Sequence, residues 1–117
     1  MIRPDKAIPA LYIYRKPVDF RKAVNGLSIL IEYELKMDPF KGLYVFFNRR
    51  RDKVKILVWE SNGYILFAKY LEQSRFTIPK SDDDIITITG EQLNWLLDGI
   101  NIDLIKRHQA VVYKNTG

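Results

Sequence analysis

Apolar residues recur along this chain in short β-prone runs and in two helical patterns. Three consecutive runs in the middle of the chain are rich in β-branched and aromatic residues, which favours strands over helices. The second run is joined to the third across Glu60-Ser61-Asn62-Gly63, in which Asn62-Gly63 is typical of a tight hairpin turn, because both residues tolerate positive φ. The strands predicted in this way cover residues 11–14, 43–47, 54–59, 64–71, 76–78 and 85–89.

Two predicted helices carry recognisable start and stop signals. Apolar residues recur at helical spacing over residues 20–37, behind Asp19, which can cap the amides that follow it. Thr89 and Gln92 form a capping-box pattern at the start of the second helix, and Gly99 marks its end. We therefore expect an α+β fold, an antiparallel β-meander of about five strands with two helices packed on one face.

The composition is that of a globular protein without disulfides. The chain has 117 residues, of which 47% are hydrophobic, and we expect a single domain over residues 1–101 with a C-terminal tail, 102–117, of unassigned order. It has no cysteine, which excludes a cysteine-based metal site and fits a reducing cytoplasm. No apolar run is long enough to span a membrane, so we expect a cytoplasmic protein without a membrane partner.

Positive charge is concentrated in the middle third of the chain. Residues 1–40 carry seven Lys/Arg and five Asp/Glu, a net charge of +2. Residues 41–80 carry nine and three, a net charge of +6, whereas residues 81–117 carry three and six, a net charge of −3. An anionic partner is therefore expected to dock on the middle third.

The most distinctive basic segment connects the first two middle strands. It contains Arg49, Arg50, Arg51 and Lys53, and Lys55 follows on the next strand. Arginine binds phosphate, or guanine edges in the major groove, through two parallel hydrogen bonds. The alternative is an ordinary solvated hairpin turn, but the density of charge favours nucleic-acid binding.

A second basic group, which comprises Arg15, Lys16, Arg21 and Lys22, lies around the start of the first predicted helix, where the helix dipole favours anions. The alternative is that Arg21 pairs with Asp19 or with a strand carboxylate and locks the helix onto the sheet. The aromatic residues of the predicted meander also have two interpretations. They either stack on single-stranded bases or, as their apolar surroundings favour, fill the core or a partner interface.

No residue pattern predicts catalysis, a metal site or a cofactor. Asp82, Asp83 and Asp84 are consecutive, and neighbouring aspartates in one loop rarely converge on a cation. His108 is the only histidine, and no nucleophile motif accompanies it. We expect a protein that is not an enzyme.

Several motifs, taken in order, resemble one family. They are Met1-Ile2-Arg3-Pro4, Val18-Asp19-Phe20-Arg21-Lys22, Gly26-Leu27, Asp38-Pro39-Phe40, Tyr44-Val45-Phe46-Phe47-Asn48, Val54-Lys55-Ile56-Leu57-Val58-Trp59-Glu60, Asn62-Gly63-Tyr64, Lys69-Tyr70-Leu71-Glu72, Arg75-Phe76, Gln92-Leu93 and Leu96-Leu97-Asp98-Gly99-Ile100. Together they resemble the TnpB accessory proteins, the second open reading frame products, of the insertion sequence 66 family of bacterial transposable elements.

The resemblance implies a non-catalytic accessory protein that works beside a separate DDE-type transposase. DNA binding, at the ends of the element, is one role that it implies. The alternative is an adaptor that assembles or stabilises the transposase complex through protein contacts without touching DNA. The oligomeric state does not follow from the motifs.

Overall fold

A five-stranded sheet forms the centre of the computed structural model, which describes residues 9–105. In chain order the elements are β1 (Leu11–Tyr14), α1 (Val24–Ile29), β2 (Leu43–Phe47), β3 (Lys53–Glu60), β4 (Gly63–Tyr70), β5 (Ile85–Ile88) and α2 (Gly90–Leu97). The helix α1 continues as a π-helical segment over Leu30–Glu34, and a further helical turn begins at Ile102. Ile102, the first residue of the predicted tail, is buried in the core.

The strands lie side by side in the order β4-β3-β2-β1-β5. The predicted meander is confirmed for β2, β3 and β4, which are antiparallel neighbours in chain order. It is wrong for β1, which lies beside β2 and parallel to it, with Tyr12 opposite Tyr44. Residues 15–42, which include α1, cross between these two strands, and a parallel pair requires such a long connection. The sheet is therefore mixed, with β5 antiparallel to β1 at the edge.

The two helices cover opposite faces of the sheet. Val45 and Phe47 of β2 belong to the same buried cluster as Leu96 of α2. The alternate residues Tyr44 and Phe46 belong to a second cluster that contains Leu27 of α1. Successive side chains of a strand point to opposite faces, so the prediction that both helices pack on one face is wrong. Strand β2 is buried along its whole length, and each face of the sheet therefore needs its own cover.

The first helix is shorter than the predicted span of residues 20–37. It begins at Val24, and its N-cap makes no side-chain hydrogen bond. Asp19 instead closes a separate turn ahead of the helix. Its carboxylate accepts a hydrogen bond from the Arg21 amide at 2.9 Å, and its carbonyl accepts one from the Lys22 amide at 3.0 Å.

Helix α2 is held at both ends. The predicted capping box is confirmed, because Thr89 Oγ1 accepts from the Gln92 amide at 3.1 Å and Gln92 Oε1 accepts from the Thr89 amide at 2.9 Å. At the other end, Lys69 of β4 donates from Nζ to the carbonyl of Leu97 at 2.7 Å. Gly99 follows with a φ of +81°, which confirms it as the residue that ends the helix.

The β3–β4 hairpin is confirmed, and its turn lies within the predicted connection, residues 60–63. Glu60 is the register partner of Gly63, so Ser61 and Asn62 form the turn. Ser61 takes the positive φ, +54°, that was expected at Asn62 and Gly63. The asparagine-glycine signal therefore located the hairpin correctly, although the positive φ falls on Ser61.

Residues 76–78 form no strand, contrary to the prediction. Phe76 and Ile78 are nevertheless buried in the cluster on the α2 face. The Phe76 amide donates to the carbonyl of Arg51 at 2.7 Å, so the segment is tied to the β2–β3 turn. The alternation of apolar residues in this segment therefore reflects their burial and not pairing with a strand.

Substitution of the glycine immediately before β2 tests how tightly the start of this strand is packed. Gly42 has a φ of +118°, and a Cβ there would lie 2.8 Å from Tyr12 Cε2. Gly42→Ala is expected to lower the free energy of unfolding by about 1–3 kcal/mol, because backbone strain and the ring contact both oppose it. The control is Gly63→Ala, where φ is not positive and a Cβ meets nothing within 4 Å, so that we expect a change below about 1 kcal/mol. Equal destabilisation of the two variants in urea unfolding would contradict this explanation.

Candidate nucleic-acid interface

Basic residues collect at one end of the sheet because of the way the strands run. The parallel strands β1 and β2 both end there, and β3 begins there. The acidic residues 82–84 precede β5 at the far corner of the same end, where Asp84 pairs with Lys16 at 3.3 Å. We call this surface the basic end and define it by Arg15, Lys16, Arg49, Arg50, Arg51 and Lys53.

The β2–β3 turn is braced by Asn48. Its Oδ1 accepts a hydrogen bond from the Lys53 amide at 3.0 Å, and its Nδ2 donates to Asp52 Oδ1 at 2.6 Å. The hydrogen bond from Asn48 lowers the pKa of Asp52 below its usual value, with the nearby charges of Arg50 and Lys53 acting in the same direction. The Asp52 carboxylate thus helps to fix the conformation of the turn, and it forms no salt bridge with the arginines beside it.

Residue 51 occupies an unusual position within this turn. Arg51 has a φ of +61°, a conformation in which side chains other than glycine are uncommon. Its amide donates to the carbonyl of Asn48 at 3.1 Å, and its carbonyl accepts from Phe76 at 2.7 Å. The next carbonyl, of Asp52, accepts from the Leu71 amide at 2.8 Å. The backbone of the turn is therefore held by a hydrogen bond within the turn and by two more from the segment that follows β4.

The three arginines of the turn are exposed. None of their guanidinium groups makes a hydrogen bond or a salt bridge with another residue in the range 9–105. Arg49 and Arg51 line a small cleft whose opposite wall includes Arg15, at the end of β1. Arg15 was predicted to belong to the second basic group, around the start of the first helix, and not to lie beside the arginine turn. The parallel pairing of β1 with β2 brings Arg15 to the cleft, and no local pattern in the sequence predicts that pairing.

The two predicted lysines differ in their surroundings. Lys53 is exposed, and its Nζ lies 5.5 Å from the centroid of the Tyr70 ring. Lys55 is only 8% exposed, and its Nζ donates to the carbonyls of Phe20 and Lys22, both at 2.8 Å. Its ammonium also lies 4.9 Å from the centre of the Phe20 ring. Lys55 therefore ties β3 to the turn before α1 and is not available on the surface.

Arg21 and Lys22, of the second basic group, also differ in their surroundings. Arg21 is exposed, and its guanidinium binds the carboxylate of Asp19, with Nη2 2.6 Å from Oδ2. These hydrogen bonds lower the pKa of Asp19 from its usual 3.8 to about 2. The structure thus pairs Arg21 with Asp19 within one turn, and no strand carboxylate forms a salt bridge with Arg21 in residues 9–105. Lys22 is exposed, and its carbonyl is one of the two that hold Lys55.

The aromatic residues of strand β2 lie in the core, whereas those of β3 and β4 are partly or largely exposed. Tyr44, Phe46 and Phe47 are buried. Tyr70 is 60% exposed beside Lys53, close to the basic end. The interpretation of these rings as core residues thus holds for strand β2, while β4 leaves one ring open at the basic end.

Comparison with known proteins supports the resemblance carried by the motifs. The family model described as "IS66 Orf2 like protein" matches residues 9–107. The chain belongs to this family. The IS66 Orf2-like chain is 32% identical over 108 residues to the uncharacterized protein y4jC of Sinorhizobium fredii, covering 92% of each chain. It is 33% identical over 84 residues to the uncharacterized protein y4hO of the same organism, covering 71% of this chain and 73% of the relative.

Membership of the IS66 Orf2-like family indicates an accessory protein of transposition encoded by an insertion sequence. No solved structure matches the chain. Within residues 9–105, no group of three or more His, Cys, Asp or Glu residues is placed to hold a metal ion, and His108 lies outside the described residues. None of the helices in the same range has the length and apolar character needed to cross a membrane.

The assignment of Lys55 as a structural residue can be tested by substitution. Lys55→Met is expected to lower the free energy of unfolding by about 1–3 kcal/mol, because the carbonyls of Phe20 and Lys22 lose their donor. Lys53→Met, an exposed position on the same face of β3, should change it by less than about 0.5 kcal/mol. Denaturant unfolding of both variants provides the comparison, and a neutral Lys55→Met would show that Lys55 does not hold the turn.

Proposed function

We propose that this protein is a non-catalytic accessory factor of transposition that binds DNA through the basic end of its sheet. The observation that carries the proposal is the set of three exposed arginines on one braced turn, whose guanidinium groups have no partner within residues 9–105. Uncompensated arginines at this density bind phosphate, since each presents a planar fork of N–H donors.

The shape of the basic end also suits a nucleic acid. The turn joins two central strands of the sheet, β2 and β3, which β1 and β4 flank, so its arginines project from the end of a rigid layer. The backbone hydrogen bonds of Asn48, Arg51 and Asp52 hold the turn in shape before any partner binds. Less ordering is then needed on association.

The remaining basic residues differ in how much each is expected to contribute to DNA binding. Lys53 and Lys22 are exposed and add to the positive surface. Arg21 contributes less, because its charge is already shared with Asp19. Lys55 is left out of the DNA contact since its ammonium is buried on two carbonyls. The expected DNA is that of the element ends, with a DDE-type transposase as the protein that acts beside this one.

A salt-titrated binding assay tests the proposal. Replacing Arg49, Arg50 and Arg51 with Ala should weaken binding to duplex DNA and reduce the slope of log affinity against log salt by about 0.9 for each phosphate that the variant no longer neutralises. Lys41→Ala removes one exposed charge at the opposite end of the sheet, before β2, and should leave the slope unchanged.

The same assay with random DNA separates recognition of the element ends from bulk attraction, which acts equally on both. Absence of binding to either DNA at low salt would refute the proposal. An unchanged salt slope in the triple arginine variant would show that the DNA contact lies outside the turn.

A second candidate function is a protein adaptor for the transposase complex, and one group of residues favours it. Phe40 is 56% exposed, and its ring packs against Trp59 and Tyr64 at centroid distances of 4.8 and 6.0 Å, at the end of the sheet opposite the basic end. Tyr33 and Ile29, on the helical segment nearby in the chain, are 64% and 54% exposed. Exposed aromatic groups of this kind often form protein contacts.

Co-purification distinguishes the adaptor from the DNA-binding factor. If the adaptor candidate is correct, the protein should retain the transposase of its own element in nuclease-treated extract, and Phe40→Ala should reduce the retained amount. Ile100→Ala is a suitable control, because Ile100 is 40% exposed in a different segment, after α2. Loss of the transposase on nuclease treatment alone would count against direct protein contact.

A further inference from the structure

The arginines of the basic end differ in their relation to a defined cleft. Arg15, Arg49 and Arg51 line a cavity of about 190 Å³ between the end of β1 and the β2–β3 turn. Arg50 belongs to the same turn but does not line the cavity. The other lining residues are Pro17, Phe47, Asn48 and Ile78.

Arg15 is anchored on one side of the cleft. Its Nε donates to the carbonyl of Pro79 at 2.9 Å, and its Nη1 donates to the carbonyl of Asp83 at 3.3 Å. Its backbone amide donates to the carbonyl of Asp84 at 2.7 Å. An arginine side chain has five N–H donors, so three remain for a ligand after these two side-chain bonds.

On the opposite wall of the cleft, the backbone of the turn is held in place. Arg51 lies at a φ of +61° in a backbone held by Asn48 and Phe76, and Arg49 is adjacent to the bracing Asn48. Neither guanidinium has a partner among the described residues. Three like charges are thus brought around one small volume by backbone interactions that do not neutralise them, and an anion there relieves their mutual repulsion.

We propose that this cleft binds a single phosphate group of a DNA strand, with Arg15, Arg49 and Arg51 as its ligands. The inference rests on the proposed DNA-binding function and adds to it that one phosphate is bound at a defined position. A phosphate fits this site because it is anionic and accepts several hydrogen bonds in the paired geometry that guanidinium groups offer. Pro17, which is exposed, supplies an apolar wall beside it for the adjoining sugar.

Single-residue variants separate a phosphate site from general charge attraction. Arg49→Ala and Arg51→Gly each remove a cleft ligand, and each should weaken DNA binding by about tenfold or more, as expected when charge-assisted hydrogen bonds are removed. Arg50→Ala removes the same charge from the same turn but outside the cleft, and should weaken binding by less than about threefold. Glycine suits the positive φ of residue 51, so that Arg51→Gly keeps the fold, which thermal unfolding verifies.

Inorganic phosphate provides a readout that does not depend on DNA. It should shift the NMR signals of the Arg15 and Arg51 side chains in the wild-type protein more than chloride at equal ionic strength, and the shift of Arg15 should disappear in Arg51→Gly. Oligonucleotides with and without a 5′-phosphate then identify the source of the phosphate. A requirement for the 5′-phosphate assigns the cleft to a strand end, and equal binding assigns it to an internal phosphodiester.

Two results separate failure of this inference from failure of the proposed function. Equal weakening by Arg49→Ala, Arg50→Ala and Arg51→Gly, with phosphate no more effective than chloride, would overturn the phosphate site and leave DNA binding by charge intact. Absence of DNA binding at low salt, together with no phosphate-specific shift, would overturn both.

Discussion

Burial of strand β2 on both faces is the constraint on which the rest of this structure depends. All five of its residues are buried, and they contribute alternately to the two core clusters. A strand with two dry faces needs neighbours on both edges and a cover above and below. The parallel partner β1, the antiparallel partner β3 and the two helices meet these needs. The positions of the functional side chains follow from that arrangement.

The parallel pairing of β1 with β2 is the part of this arrangement with the most direct functional effect. It makes both strands end at the same edge of the sheet, so Arg15 lies across a cleft from Arg49 and Arg51, residues more than thirty positions away in the chain. In a pure meander, β1 would run antiparallel to a neighbouring strand and its arginine would lie elsewhere. The basic end is therefore a product of topology as much as of local charge.

The features that could be predicted from the sequence are those whose causes are local. The strands β1 and β2, the capping box at Thr89 and the glycine at position 99 all depend on residues a few positions apart, and each was located correctly. The direction of β1 and the face that each helix covers depend on contacts between distant segments, and both were predicted wrongly.

Lys55 shows the same limit within the candidate site. Its position beside the arginine turn made it a natural phosphate ligand. Only the fold shows that two carbonyls from the segment before α1 occupy its ammonium. The exposed arginines, by contrast, lie where the sequence indicated them.

Lys69 has a role beyond closing the end of α2. It lies on β4, a strand of eight residues at the edge of the sheet, whose outer backbone groups face no other strand within residues 9–105. Its ammonium points toward the helix side, where it binds the carbonyl of Leu97. A foreign strand that joined this edge would bring further apolar surface toward that charge, and inward-pointing lysines are one means by which edge strands resist such additions. The side chain that closes the end of α2 thus also places a positive charge on an edge strand that carries the exposed Phe67 and Tyr70.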